Sequence, residues 1–349
     1  MSARIDVGIA GATGLVGQHL IARLADHPWF RVAWVAASDR SAGRRLGDVP
    51  WRASGACPAD AADLRLDTVR PGAAPVLVFS ALDASAAGTL EPALAASGHT
   101  VVSNASSCRM RPDVPLVIPE INPSHLDLIS TQPWRGAIIT NPNCSTTFLA
   151  LALAPLAPFG ITRVMVSTLQ ALSGAGYPGI ASLDALGNVI PFIAGEEDKI
   201  ETETLKILGA SFPISAQTTR VPVAHGHTEL VSVGIGQHAG ESDLREAWRE
   251  FRGTPVVRSL PSAPASPVEF VDGDDRPQPA RDVDRGGGMT VSIGRLRPCP
   301  VLGWRFVALG HNLVRGAAGA AVLNAELALA SDVIDGTGQR RALTWSAPG

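Results

Sequence analysis

The chain has few cysteines, little net charge and no long apolar run, and each shortage removes a class of protein. Four cysteines, Cys57, Cys108, Cys144 and Cys299, stand far apart in 349 residues. None forms a Cys-x-x-Cys pair, so neither a disulfide framework nor a zinc site is expected, and the pattern suits a reducing compartment. A formal net charge of −3 provides no basic field, so nucleic acid and anionic membrane are not expected partners. No apolar run reaches membrane-spanning length, and the longest, 148–159, is interrupted by Pro155 and Pro158. The first apolar stretch, 5–10, is too short for the core of a signal peptide, and a cytoplasmic location is the expectation. No internal repeat is visible.

What remains is a globular chain. With 46% hydrophobic and 17% charged residues it is not dominated by disorder, and its length admits two domains. In the first part, apolar strands (5–10, 30–37, 76–80, 99–102, 116–118, 137–140) alternate with helical patterns (15–24, 84–96). Such alternation implies an α/β domain, a Rossmann-type parallel sheet wrapped by helices. After Cys144 the texture changes to strand-like segments at 164–172, 219–223, 229–235, 268–271, 289–296 and 305–309. Only two helical patterns, 190–208 and 242–251, accompany them. With so few crossover helices, an α+β domain with a mostly antiparallel sheet is expected. The Pro-, Gly-, Asp- and Arg-rich stretch 259–288 reads as partly loop. An Ala-rich helix over 317–331 is apolar on most sides and must be buried, against the first domain. The expected division is 1–143, completed by the C-terminal helix 317–349, and 144–316.

The segment Asn141-Pro142-Asn143-Cys144-Ser145-Thr146 places a thiol where an apolar strand gives way to an apolar helix. Free N–H groups of a first helical turn favour thiolate over thiol, and a polar surround argues against a merely buried cysteine. Cys144 is the candidate nucleophile. Between the first strand and first helix lies Gly11-Ala12-Thr13-Gly14-Leu15-Val16-Gly17, a turn suited to close approach by a pyrophosphate at a helix N-terminus. At the end of the second strand, Ser38, Arg40 and Ser41 offer groups for a 2′-phosphate, whereas Asp39 would suit an unphosphorylated ribose. NADP is the expected cofactor, with NAD as the alternative.

Arg220-Val221-Pro222-Val223-Ala224-His225-Gly226-His227 carries an arginine and two histidines. In a straight strand Arg220 and His227 would face opposite sides, but Pro222 and Gly226 make room for a bend. His227 is the proton-transfer candidate and His225 the spare. No further ligand cluster supports a metal site. Glu196 and Lys199 share a helical face, and Arg109 follows a strand end where open α/β sheets bind ligands; both readings compete with ordinary surface charges.

Taken together, these segments resemble the aspartate-β-semialdehyde dehydrogenase family, in its archaeal and fungal branch. Further matching segments are Arg40–Gly43, Pro112–Asn122, Ser173–Gly179, Asn188–Phe192, Gly195–Lys199, Gly226–Glu229 and Arg315–Gly319. The related N-acetylglutamyl-phosphate reductases look different around the cysteine. The resemblance implies Cys144 as nucleophile, His227 as acid/base and Gln170 as the residue orienting the intermediate. It implies Arg220 for a substrate carboxylate, Glu196 for its ammonium group, and Arg109, Lys199 and Asn143 for phosphate. At the cofactor it adds Ser80, Ser173, Gly174 and Asn312 to Gly11, Thr13, Gly14, Leu15, Val16, Ser38, Arg40 and Ser41. His311 stands where an aspartate is more usual, and 259–288 carries no family signature.

The implied reaction is reductive dephosphorylation of L-aspartyl 4-phosphate by NADPH through a thioester on Cys144. The implied partners are a small-molecule substrate and phosphate, with a homodimer or homotetramer built through the second domain. Two rivals stand beside it. One is a paralogue reducing a CoA thioester such as malonyl-CoA or another acyl phosphate, and Glu196 speaks against malonyl-CoA. The other is a catalytically silent NADP-binding protein.

Overall fold

The structure, a computed structural model, describes residues 4–341. Its first sheet contains β1 (Ile5–Ala10), β2 (Phe30–Ala37), β3 (Leu66–Thr68), β4 (Leu77–Ser80), β5 (Thr100–Ser103) and β6 (Ala137–Thr140). They run parallel in the order β3-β2-β1-β4-β5-β6. The order reverses beside β1, so the crevice outside the carboxyl ends of β1 and β4 is the topological switch point. β4, β5 and β6 are buried at every position, which is why they read as continuous apolar runs. Helix α1 (Leu15–Leu24) starts at Gly14, and α2 (Ala84–Ala96) is capped by Asp83, whose carboxylate accepts from the N–H groups of Ser85 and Ala86.

The second sheet contains β7 (Ile161–Gln170), β8 (Ile214–Arg220), β9 (His227–Ile235), β10 (Val268–Phe270), β11 (Val291–Cys299) and β12 (Gly303–Gly310). Its order is β10-β11-β12-β9-β7-β8, antiparallel in the middle and parallel at both edges. Helix α3 (Cys144–Leu153) is buried along almost its whole length, and α4 (Glu196–Leu208) is the crossover between the parallel pair β7 and β8. Helix α5 (Glu241–Glu250) inserts Trp248 into the second core, where its indole N–H donates to the Ala152 carbonyl at 2.9 Å.

Three expectations shift. Residues 116–118 form an isolated bridge from Leu116 to Thr140 rather than a strand. The strand expected at 219–223 is β8, which ends at Arg220. Its inward side chains are Ala216, Thr218 and Arg220, too polar to mark a core face in the sequence. The helix expected from 190 begins only at Glu196.

The stretch 259–288 is mostly irregular, as expected, and is tied together by buried Asp282. That carboxylate accepts from Arg276, Arg285 and the Gln278 N–H, and the Arg276 guanidinium above all holds it well below the usual carboxylate range. The final helix, α6 (Gly319–Ala330), is buried and belongs to the first core with α1, as expected from its composition. Residues 342–349, the end of the expected C-terminal element, lie outside the described residues.

Candidate active site

Two adjoining clefts mark the carboxyl edge of the first sheet. One, of about 400 Å³, is lined by Gly11, Thr13, Gly14, Ser38 and Asp39 among others. The second, of about 560 Å³, is lined by Gly14, Leu15, Val16, Arg109, Asn143, Cys144, Ser173, Gly174 and Asn312 among others. Gly14, Ala81, Leu82 and Asp83 border both, so the pair forms one trough from the end of β2 to the start of α3. Gly14 caps α1 without any side chain, leaving first-turn N–H groups without a side-chain acceptor beside the trough. Gly11 is required by packing: its φ is +83°, and a Cβ there would lie 2.5 Å from the Ala81 carbonyl oxygen. Gly11, Thr13 and Gly14 are the residues that could hold the pyrophosphate of a dinucleotide in this trough.

Cys144 is the first residue of α3, as its sequence context implies. Asn143 caps the helix, its Oδ1 accepting from the N–H groups of Ser145 at 3.0 Å and Thr146 at 3.2 Å. Its Nδ2 donates to Glu196 Oε2 at 2.8 Å, so both polar ends of the amide are already engaged. Glu196 also holds Lys199 at 3.0 Å, and Gln170 donates to Ser145 Oγ at 3.0 Å. These contacts bind α3, α4 and the end of β7 around the thiol.

The thiolate expected from the helix start is not what the resting structure favours. Burial first, then the Glu196 carboxylate, push the Cys144 thiol up to about 12. The Ser145 N–H, Arg109 and Arg220 oppose that shift and are outweighed. Cys144 is only half-buried and opens to the trough, so water there weakens the effect of burial.

Arg220 ends β8 and His227 begins β9, so the chain does turn between them. Both converge on Gly174: a Cβ there would lie 2.7 Å from Arg220 Nη1 and 3.0 Å from His227 Nε2. Gly174 and Cys144 line the same cleft, and the ring of Phe148, one turn along α3, is 6.3 Å from that of His227. Gly174 therefore stands between the cleft that holds the sulfur and the buried imidazole. His227 is fully buried, and burial, then Arg220, lower its pKa to about 3 against a smaller opposing pull from the Gly226 backbone. His225, the spare, is exposed and stacks on His311 at 5.6 Å.

Arg109 lines the cleft, but its guanidinium already donates to Glu203 Oε1 at 3.0 Å and to the Asn104 carbonyl at 2.6 Å. Glu203 also accepts the Asn143 N–H at 2.7 Å. Sequence reasoning missed Glu203, although it lies seven residues after Glu196 on the same helical face. Asn312 donates to Ser173 Oγ at 2.9 Å and accepts from the Gly226 N–H at 2.9 Å, linking the return after β12 to the cleft. Arg40 is exposed and Ser41 part-buried in the turn beyond Asp39, outside the lining. Ser80 is fully buried under the trough rather than lining it. Among the described residues there is no cluster suited to a metal ion, and no helix is long and apolar enough to cross a membrane.

A doubly wound nucleotide-binding sheet joined to a second sheet, with an ordered set of polar side chains at the seam, defines a two-domain dinucleotide-dependent oxidoreductase. Residues 6–129 match the semialdehyde dehydrogenase NAD-binding domain, and residues 153–315 match the semialdehyde dehydrogenase dimerisation domain. Aspartate-semialdehyde dehydrogenase of Methanothermobacter thermautotrophicus is 48% identical, covering 93% of this chain and 98% of that protein. Its counterpart in Cryptococcus neoformans is 43% identical, covering 95% and 98%. The crystal structure of aspartate semialdehyde dehydrogenase with NADP from Candida albicans superposes with a TM-score of 0.87 at 37% identity, covering 95% of this chain and all of that one. The chain belongs to the semialdehyde dehydrogenase family, and the resemblance to archaeal and fungal members is borne out.

Proposed function

We propose that the chain catalyses the reversible, NADP-dependent reductive dephosphorylation of L-aspartyl 4-phosphate to L-aspartate 4-semialdehyde, through an acyl group held on Cys144. The observation that carries this reading is the trough itself, which runs from the glycine-rich turn to Cys144, with Arg220 and His227 converging beside Gly174. Relatives bearing the aspartate-semialdehyde dehydrogenase name at more than 40% identity support the substrate.

Gly11, Thr13 and Gly14 would hold the cofactor's phosphates, Leu15, Val16, Ser173, Gly174 and Asn312 its nicotinamide side, and Ser38, Arg40 and Ser41 its 2′-phosphate. The bound nicotinamide supplies the hydride. Arg220 anchors the substrate carboxylate and Glu196 its ammonium group, so the two ends are read by opposite charges. Arg109 and Lys199 hold the phosphate, which must draw them partly from Glu203 and Glu196. Cys144 sulfur attacks the acyl carbon as phosphate departs, leaving a thioester. Gln170, tied to Ser145, orients the acyl group.

The outward face of the second sheet exposes Met165, Leu169 and Leu230, and a homodimer or homotetramer through that face is part of the same reading. A location in the cytoplasm accords with the four free cysteines.

A steady-state assay of L-aspartate semialdehyde oxidation tests the proposal, run with NADP and phosphate, then with NAD, then with CoA in place of phosphate. Phosphate-dependent NADP reduction supports it. CoA-dependent turnover without phosphate dependence assigns the chain to the acyl-CoA alternative, and no turnover under any condition favours the silent one.

A further inference from the structure

One face of α4 holds both the residue before the nucleophile and the arginine at the phosphate end of the cleft. Glu196, Lys199, Glu203 and Lys206 recur along it at helical spacing and so share a side. Glu196 accepts from the Asn143 side-chain amide at 2.8 Å, and Glu203 Oε2 accepts from the Asn143 backbone N–H at 2.7 Å. The residue preceding Cys144 is therefore fixed at its side chain and at its peptide. Arg109 is held twice as well. Glu203 Oε1 accepts from its Nη1 at 3.0 Å, while Lys206 Nζ donates to its carbonyl at 2.6 Å. The other N–H groups of Lys206 reach the carbonyls of Arg111 and Val114, at 2.8 and 3.0 Å, and close the loop that carries Arg109.

One buried carboxylate thus touches both ends of the chemistry. Arg109 is buried with it, and Arg109 Nε has no partner among the described residues. The guanidinium therefore keeps a donor for an oxyanion while Glu203 and the Asn104 carbonyl fix its plane. We propose that Glu203 is a positioning residue: by bridging Arg109 Nη1 and the Asn143 N–H, it sets the separation between bound phosphate and the Cys144 sulfur without touching the substrate. This deepens the function proposed above and rests on it.

A phosphate oxygen must stand beside the acyl carbon that the sulfur carries, and about 1 Å of misplacement at a reacting group costs about a hundredfold in rate. Charge acts in the opposite sense. The Glu203 carboxylate competes with phosphate for Arg109, so removing its charge strengthens the hold of Arg109 on an anion while freeing Arg109 and Asn143 to drift apart. Affinity and turnover therefore separate. A side chain that merely bound phosphate would lose affinity on removal, and one that merely supported the fold would weaken NADP binding as well.

The test uses the whole protein with inorganic phosphate as the probe. Protection of Cys144 from iodoacetamide, read on its peptide by mass spectrometry, gives phosphate affinity without turnover, and phosphate-dependent semialdehyde oxidation gives kcat. Glu203→Gln keeps the side-chain volume and an oxygen for the Asn143 N–H. Its kcat should fall at least tenfold, with half-protection at no higher phosphate concentration than in the wild type and an unchanged KM for NADP. Glu203→Asp keeps the charge but withdraws it by one methylene, and serves if the first variant does not fold. Its kcat should also fall at least tenfold, with phosphate affinity within threefold of the wild type. A smaller loss of kcat in either folded variant, weaker protection of Glu203→Gln by phosphate, or a raised KM for NADP overturns the inference. A wild-type protein that phosphate neither protects nor serves refutes the function proposed above, and the inference with it, before any variant is made.

Discussion

Gly316 packs directly against Cys144: a Cβ added at position 316 would lie 2.5 Å from Cys144 Cβ and 3.0 Å from its Cα. The return segment after β12 therefore crosses the start of α3 at backbone distance and forms one wall of the reactive end of the trough. Gly316→Ala is expected to displace α3 or the return segment, costing about 1–3 kcal/mol of stability by overpacking. Turnover should fall by about a hundredfold, the order expected when a reacting group is misplaced by about 1 Å. Thermal unfolding together with steady-state kinetics checks this, and wild-type turnover would show that the close contact is unimportant.

The same segment carries Arg315, which meets Glu120 in a buried, bidentate pair at 2.8 and 2.6 Å. The resemblance gives neither Glu120 nor Arg315 a role, and the pair fastens the return segment to the first domain. Glu120→Ala should cost about 3–5 kcal/mol, because it leaves a buried guanidinium unpaired. The double variant Glu120→Leu/Arg315→Met should cost less than Glu120→Ala alone. Denaturant titration of the three proteins gives the comparison, and a double variant at least as unstable as Glu120→Ala would contradict it.

Three imidazoles set the direction of the acid response. His19 and His311 have pKa values lowered to about 4, and His227 to about 3, burial being the largest cause in each case. Each folded value lies below that of the unfolded chain, so the stabilisation is complete above about pH 6.5. As pH falls from there towards 4, the unfolded state binds protons that the folded state refuses, and stability declines. His311→Gln should flatten that decline while leaving stability near pH 8 little changed. Melting temperatures across pH 4–8 measure the effect, and parallel curves for the two proteins would contradict it.

At the other end of the trough, Asp39 borders the cleft while Arg40 lies exposed in the turn beyond it. Arg40→Ala is expected to raise the KM for NADPH at least tenfold, about the loss of one charge-assisted contact. The KM for NADH should scarcely change. Equal effects on both cofactors would remove Arg40 from the recognition of the 2′-phosphate.

Much of the first domain was legible because strand and helix periods alternate there, and Ile5–Ala10, Leu15–Leu24 and Ala84–Ala96 form where their apolar spacing places them. β8 was misplaced because its inward positions are Ala216, Thr218 and Arg220, which carry no apolar stripe. Position on α3 identified Cys144, but its ionisation was not legible. The helix terminus favours thiolate, whereas burial and a carboxylate from α4, more than fifty residues on, favour thiol and prevail. The amide of Asn143 caps α3 and is tethered to Glu196, and the tether depends on a helix more than fifty residues on and is not legible locally. Pro222 and Gly226 did signal the turn that carries Arg220 and His227 to one place, because bend residues are local chemistry.

The measurement closest to the centre of the account is intact-protein and peptide mass spectrometry after exposure to L-aspartate semialdehyde and NADP with phosphate withheld. Without phosphate the acyl group cannot be released by phosphorolysis. The expected result is an aspartyl adduct in thioester linkage on the peptide containing Cys144, discharged when phosphate is added and missing from Cys144→Ser. An adduct on another residue, or normal turnover by Cys144→Ser, would contradict covalent catalysis by this cysteine.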